Sequence, residues 1–348
     1  MKKERLTTKD IAKLADVSRG TVDRVLHGRG KVSDKAREKV MKVLEEQDYK
    51  PNKLAKALQA NKITVMAFLI PSPELDEYWQ FAQQGLEQAV DAMDLFSIEV
   101  ASYYFDPKDK EDFINQSQAL LDAHPDGVIF APFFYQESIA FLTQCKEQDI
   151  PCVTFNTQLK ECAQPFIGQD LFQSGQVAAS LIKKSTATKG DILIVHFDES
   201  VSNALHMQKK EAGFFDFYSK PENAGYKLTT VNIQKDDASE LFSYFDEVFQ
   251  TQKGIVAVYV TNSKCYKVAQ YLANNDIDCL LIGYDLIQEN RTYLTKSTID
   301  YLIYQNPKMQ VSLAAKNLAD HLILNKEMPA ITFLPLDIII KENLDTIK

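Results

Sequence analysis

From residue 63 onward the chain alternates between apolar runs of strand length and amphipathic stretches of helix length. The apolar runs fall at 63–70, 98–103, 127–130, 152–155, 192–196, 228–231, 257–261 and 280–283. Between them, residues 79–93, 113–124, 139–148, 174–184, 240–251 and 266–274 place apolar side chains at helical spacing. Near-continuous apolar strands alternating with helices imply parallel sheets covered by helices on both faces. This texture covers about 285 residues, more than one core comfortably fills, so two similar lobes are expected. Crossings between the lobes are expected near 168–170, 298–302 and 326–330, within a body spanning 63–348.

The first 62 residues differ in charge. They hold 17 Lys and Arg against 9 Asp and Glu, a net of +8, while the remainder holds 22 against 39, a net of -17. A basic head on an acidic body points to a polyanionic partner for the head. The longest apolar runs, 63–70 and 336–340, fall far short of the roughly 20 residues a bilayer requires, so no membrane partner is expected. Lys2 and Lys3 have no apolar stretch behind them, so no export signal is expected and the cytoplasm is the expected compartment. The five cysteines (Cys145, Cys152, Cys162, Cys265, Cys279) are scattered without a C-x-x-C pair. They read as reduced, mostly buried thiols, with no metal or other cofactor implied.

The head carries three short helical patterns. Thr7 and Asp10 have capping-box spacing, followed by Ile11, Leu14 and Ala15. The pattern breaks over Asp16 and Val17, and Ser18 can cap a second helix reaching about His27, with Val22, Val25 and Leu26 inward. A third begins after Ser33, with Ala36, Val40, Val43 and Leu44 on one face. A helix-turn-helix of this spacing lays its second helix in the major groove of double-stranded DNA. The outward positions are Arg19, Gly20, Asp23, Arg24 and His27. Arginine pairs with guanine O6 and N7, and Ser18 and Thr21 stand near a helix N-terminus, where phosphates bind.

Residues 8–27, Val32-Ser33, 49–52 and 55–58 resemble the lactose/galactose repressor family across the whole head. The likeness implies that Thr7, Ser18, Arg19, Gly20, Thr21, Arg24 and His27 contact an operator. Gly20 departs from the side-chain-bearing residue usual there. Asp23 either holds Arg19 one turn away or accepts from a cytosine amino group. Residues 51–62 resemble the family's hinge, with Asn52 and Ala55 on the DNA and Leu58 matching the leucine that wedges into a minor-groove step. The likeness also implies a homodimer on a near-palindromic site.

The body resembles the ribose-binding type of two-lobed periplasmic receptor. Its landmarks are residues 77–79, 166–170 with Gly175, Gly213-Phe214, Thr261-Asn262, 283–285 and 305–307. The expected fold is therefore an N-terminal all-α helix-turn-helix headpiece (1–50) plus an α/β two-lobed periplasmic-binding-protein-like domain. The likeness places a small-molecule effector between the lobes, at the carboxyl ends of the strands. Asn156, Asn262 and Asp285 each follow an apolar run, and amides and carboxylates can hold vicinal hydroxyls. Tyr78 or Trp79 can cover an apolar sugar face. Lys210 stands where these regulators often carry Arg, and Gln305 completes the set. One strand-end Asn or Asp commonly caps the next helix; the recurrence across several strands is what favours a site. The effector is a sugar or sugar derivative, or alternatively a nucleobase or other non-sugar corepressor. A free-standing solute receptor would need an export signal. An enzyme would need a nucleotide-binding glycine loop, a nucleophile elbow or clustered acid and base residues, and none is visible.

Overall fold

The computed structural model describes residues 6–47, 49, 63–94, 96–197, 204–235 and 237–347. Contacts divide the chain into two units, Met1–Ala60 and Asn61–Lys348. Asn52, Ala55 and Leu58 lie outside the described residues, as does the side chain of His27.

In the head, α1 spans Thr8–Leu14, α2 Arg19–His27 and α3 Asp34–Glu46. Local chemistry explains each boundary. Thr7 Oγ1 accepts from Asp10 N at 3.3 Å, and the Asp10 carboxylate accepts from Thr7 N at 2.8 Å, closing the capping box. Ser18 and Ser33 cap α2 and α3 through the amides of Thr21 and Ala36. Gly28 ends α2 at φ 61°, a left-handed conformation that glycine adopts without a Cβ penalty. Ile11, Ala12, Ala15, Val22, Val25 and Val40 form the core. Leu14, expected on the inner face, is 55% exposed. The buried stripe of α1 runs over positions 11, 12 and 15, which leaves position 14 on its flank.

The body opens with β1 Thr64–Pro71, α4 Glu77–Asp91, β2 Ile98–Phe105, α5 Lys110–Asp122, β3 Gly127–Phe130, α6 Tyr135–Glu147, β4 Cys152–Phe155 and β5 Phe166–Gly168. It continues with α7 Leu171–Ser185, β6 Asp191–Phe197, α8 Leu205–Ser219, β7 Lys227–Ile233, α9 Ala238–Thr251, β8 Ile255–Val260, α10 Cys265–Asn274, β9 Leu280–Tyr284, α11 Gln288–Thr295 and β10 Tyr301–Tyr304. It closes with α12 Pro307–Leu324, β11 Ile331–Phe333 and β12 Asp337–Ile339.

Two six-stranded sheets result, in the orders β11-β5-β4-β3-β1-β2 and β12-β10-β9-β8-β6-β7. Every pairing is parallel except β10 with β12. Each sheet buries both faces, so each lobe has two apolar clusters. In the second lobe, α7 and α8 approach closely at Gly175 and Gly213. A Cβ on Gly175 would lie 1.9 Å from Lys210 O, and one on Gly213 1.9 Å from Phe172 O.

The chain crosses between lobes at 169–170, 305–306 and 334–336. The second and third crossings lie beyond the expected 298–302 and 326–330. Residues 301–304 still belong to the second sheet, and the chain leaves it only at Gln305-Asn306, where Asn306 turns at φ 53° and caps α12. Residues 331–333 pair with β5 in the first sheet before the chain returns. Strands of three or four residues carry too short an apolar run to declare which sheet they join. No helix among the described residues is long and apolar enough to cross a membrane.

Candidate functional site

On the head, α2 exposes Arg19, Gly20, Asp23 and Arg24, while Val22 and Val25 hold its other face against the core. Ser18 Oγ accepts from Thr21 N at 3.1 Å, and the Ser18 and Thr21 hydroxyls meet at 2.9 Å. The Thr7 hydroxyl donates to Asp10 at 2.6 Å. The cap chemistry at 7, 18 and 21 therefore fixes α1 and α2, and the two arginines project from the helix so fixed.

In the body, a cleft of about 540 Å³ lies between the lobes and is lined by Tyr78, Trp79, Asn156, Lys210, Asn262, Asp285 and Gln305 among others. The fold thus brings all seven residues singled out in the sequence of the body to one cavity. Asn156 follows β4 at φ 66° and Asp285 follows β9 at φ 67°. Asn and Asp are enriched in this left-handed region, so the chain turns sharply at matching positions of the two lobes and aims both ends at the cleft.

Their surroundings set their chemistry. The Asn156 side-chain amide donates to Tyr78 Oη at 2.5 Å. Burial pushes the Tyr78 phenol well above its ordinary value, and the Asp285 charge adds to that. Trp79 packs edge-on to Tyr78, Phe133 and Phe155, with ring centroids 4.9, 6.3 and 6.2 Å apart. Asp285, 2% exposed, accepts from Gln305 N at 3.2 Å and from Gln305 Nε2 at 2.9 Å. Burial pushes its carboxyl up to about 7, against the opposing pull of the Lys210 ammonium and the Gln305 hydrogen bonds. Lys210 Nζ donates to Thr261 O at 2.9 Å and lies 3.6 Å from the centroid of the Tyr284 ring. Its ammonium thereby holds two strand ends, at Thr261 and Tyr284. Asn262 is also engaged, its amide donating to Phe197 O at 2.9 Å and its oxygen accepting from Lys264 N at 3.2 Å.

Sequence reasoning missed the contacts that span the cleft. Asp76 and Lys264 form an ion pair at 3.2 Å. Glu77 accepts from Gln288 N at 2.6 Å, and Lys209 Nζ donates to Gln158 O at 2.6 Å. Phe133 faces His206 with ring centroids 6.3 Å apart. These contacts describe a closed arrangement of the lobes. Gln310, also missed, was signalled by its place on the apolar stripe of α12 with Ala314 and Leu318, a buried position at helical spacing held by a polar residue.

Residues 66–327 match the model of a periplasmic binding protein domain, and residues 7–52 that of the bacterial regulatory proteins of the lacI family. A putative LacI transcriptional regulator of Bacteroides fragilis, known as a crystal structure, is 30% identical, with a TM-score of 0.76, over 82% of this chain and all of that one. The chain belongs to the lacI family. It is a DNA-binding transcription regulator with a receptor-type effector domain, and its relatives are regulators, not enzymes. The HTH-type transcriptional regulator MalR of Streptococcus pneumoniae is 26% identical over 81% of this chain and 84% of its own length. The glucose-galactose binding protein GanP of Geobacillus stearothermophilus shares the fold, at 20% identity and a TM-score of 0.71 over 81% of this chain and 99% of that one.

Proposed function

We propose that this regulator reads a near-palindromic operator as a cytoplasmic homodimer and releases or grips it when a small hydroxylated effector, a mono- or disaccharide or a sugar derivative, occupies the cleft. Arg19 and Arg24 read base edges, Ser18 and Thr21 hold the N-terminus of α2 towards the phosphates, and residues 51–62 form the hinge that carries Leu58 to the operator centre. The observation that carries the effector reading is the composition of the cleft walls. Tyr78, Trp79 and Asn156 of one lobe face Lys210, Asn262 and Asp285 of the other, with Gln305 at the crossing. Such a site offers an aromatic wall, three side-chain amides and the Asp285 carboxyl to a ring bearing several hydroxyls. A ligand touching both walls binds the closed form better than the open one, and only that difference shifts the equilibrium.

A thermal-shift panel of monosaccharides, disaccharides, sugar acids and nucleobases tests this. Stabilisation by a carbohydrate, lost in Asp285→Ala, is the expected result. A nucleobase as the only stabilising compound, or a carbohydrate bound equally well by Asp285→Ala, would remove the proposal.

A further inference from the structure

Two buried glutamines, Gln169 and Gln310, bond to residues of the crossings between lobes. At the first, Gln169 Nε2 donates to Tyr304 O at 2.9 Å and to Pro335 O at 2.6 Å. One side chain thus ties together the chain segments of all three crossings. Gln310 is 1% exposed and stands on α12, behind the cleft wall. Its carbonyl accepts from Asn156 N at 2.8 Å, an N–H shared with Ile167 O at 3.2 Å, and its amino group donates to Gln305 O at 2.7 Å.

The placement of these partners matters. Gln310 belongs to the first lobe, because α12 packs among the β1, β3 and β4 side chains and against α4. Gln305 follows β10, the last residue before the chain leaves the second lobe. The bond between them spans the second crossing. At its other end the same planar amide holds Asn156, whose side chain holds Tyr78. Beyond Gln305 the chain of bonds reaches Asp285. The cleft contacts of both lobes are therefore joined through one side chain that does not line the cleft. An amide is rigid, so its two ends cannot move independently. A rotation about 305–306 must either carry the Asn156 end with it or break a buried hydrogen bond, and buried donors left unpaired are costly.

We infer that Gln310 is a positioning residue that couples the lobe angle at the second crossing to the placement of Asn156 and Tyr78 in the cleft. The significance of this coupling rests on the cleft being the effector site, but its test needs no effector.

The test uses full-length, ligand-free protein and its single tryptophan, Trp79, which lines the cleft and is 6% exposed. In Gln310→Met both ends of the amide are lost. The open-to-closed ratio then rises about fivefold, the change carried by one typical hydrogen bond, and acrylamide quenches Trp79 more strongly than in wild type. Gln310→Glu separates coupling from simple support of Asn156. Its neutral carboxyl can still accept from Asn156 and donate to Gln305, whereas the ionised form keeps only the first. Burial raises such a carboxyl, so quenching starts at the wild-type level in acid and rises with pH. Asp285 titrates in both proteins, and Lys210 and Tyr78 line the same cleft in both, so the difference from wild type at each pH is what is read. Wild-type quenching in a folded Gln310→Met overturns the inference. If that variant fails to fold, Gln310→Glu decides alone, and quenching that tracks wild type at every pH overturns it. A sugar panel without a ligand would defeat the effector reading and leave these outcomes untouched.

Discussion

The recognition face of α2 and the floor of the inter-lobe cleft use charge in opposite ways. On α2, Arg19 and Arg24 stand exposed, with their side chains in water until a partner arrives. In the cleft, Asp285 and Lys210 are each at most 2% exposed and hydrogen-bonded within the protein. Exposed charge attracts a polyanion over several ångströms, but salt screens it. Buried charge is shielded from salt, and its cost appears as a displaced pKa instead. The head is thus built for an interaction tuned by ionic strength, and the cleft for one tuned by pH and shape.

The largest expected effect breaks the contrast outright. Deleting residues 1–62 should lower operator affinity by about a thousandfold or more, to the non-specific level or below. The two-lobed body should still unfold cooperatively in calorimetry. Retained specific binding would show that the body carries the nucleic-acid site. Next in size come Arg19→Ala and Arg24→Ala in the intact chain. Each should cost about 1–3 kcal/mol on the preferred operator if it reads a base, with specificity relaxed at one position per half-site. Equal losses on every sequence would make the side chain a phosphate contact instead. Binding isotherms on a set of single-base variants distinguish the two.

A third test sharpens the buried side of the comparison. The Asp285 carboxyl rises from 3.8 in the unfolded chain to about 7 in the folded one. Between those values the native state binds more protons than the unfolded state, so stability contributed at this site falls as pH rises and is lowest above about 7. Asp285→Asn removes that titration. Wild type should lose stability relative to the variant between pH 4 and pH 8, by about 4 kcal/mol at most. The variant surrenders one acceptor for Gln305, at about 1 kcal/mol across the whole range, which lowers its curve without tilting it. Urea unfolding at a series of pH values reads the tilt, and parallel curves would place the Asp285 titration outside this range.

The same contrast explains what could be read in advance. The head's elements depend on neighbours three or four residues apart, such as Thr7 with Asp10 and Ser18 with Thr21, so its helices and caps were legible. Asn156, Asn262 and Asp285 were legible because each follows a continuous apolar run, and the parallel topology sends all such ends to one side. Gln310 with Asn156, and Asp76 with Lys264, are separated by 154 and about 190 residues. Their meeting is decided by how the lobes cross and close, which no local pattern encodes. The second and third crossings were misplaced because β10 and β11 are only four and three residues long. For Lys210 and Asn262 the sequence indicated position but not occupation. Both line the cleft, and both also hold strand ends in place.

The smallest expected effect concerns Thr7, where the two regimes meet in one side chain. Family likeness makes it a DNA contact, whereas in the structure its hydroxyl donates to Asp10 at 2.6 Å and accepts from Asp10 N at 3.3 Å. That interaction holds the Asp10 carboxyl below its ordinary value, the Thr7 hydroxyl and amide being the chief causes. If the cap is its whole role, Thr7→Ala weakens operator binding only by unfolding part of the head, at about 1 kcal/mol of helix stability. An excluded osmolyte such as sucrose, which favours compact states without adding contacts, should then restore affinity. If the hydroxyl also reaches a phosphate, the lost contact persists however well folded the head is, and sucrose leaves a residual deficit. Operator titrations of wild type and Thr7→Ala with and without sucrose, at one fixed salt concentration, distinguish these outcomes. Full recovery assigns Thr7 to the fold of the head, and partial recovery assigns it to both fold and operator.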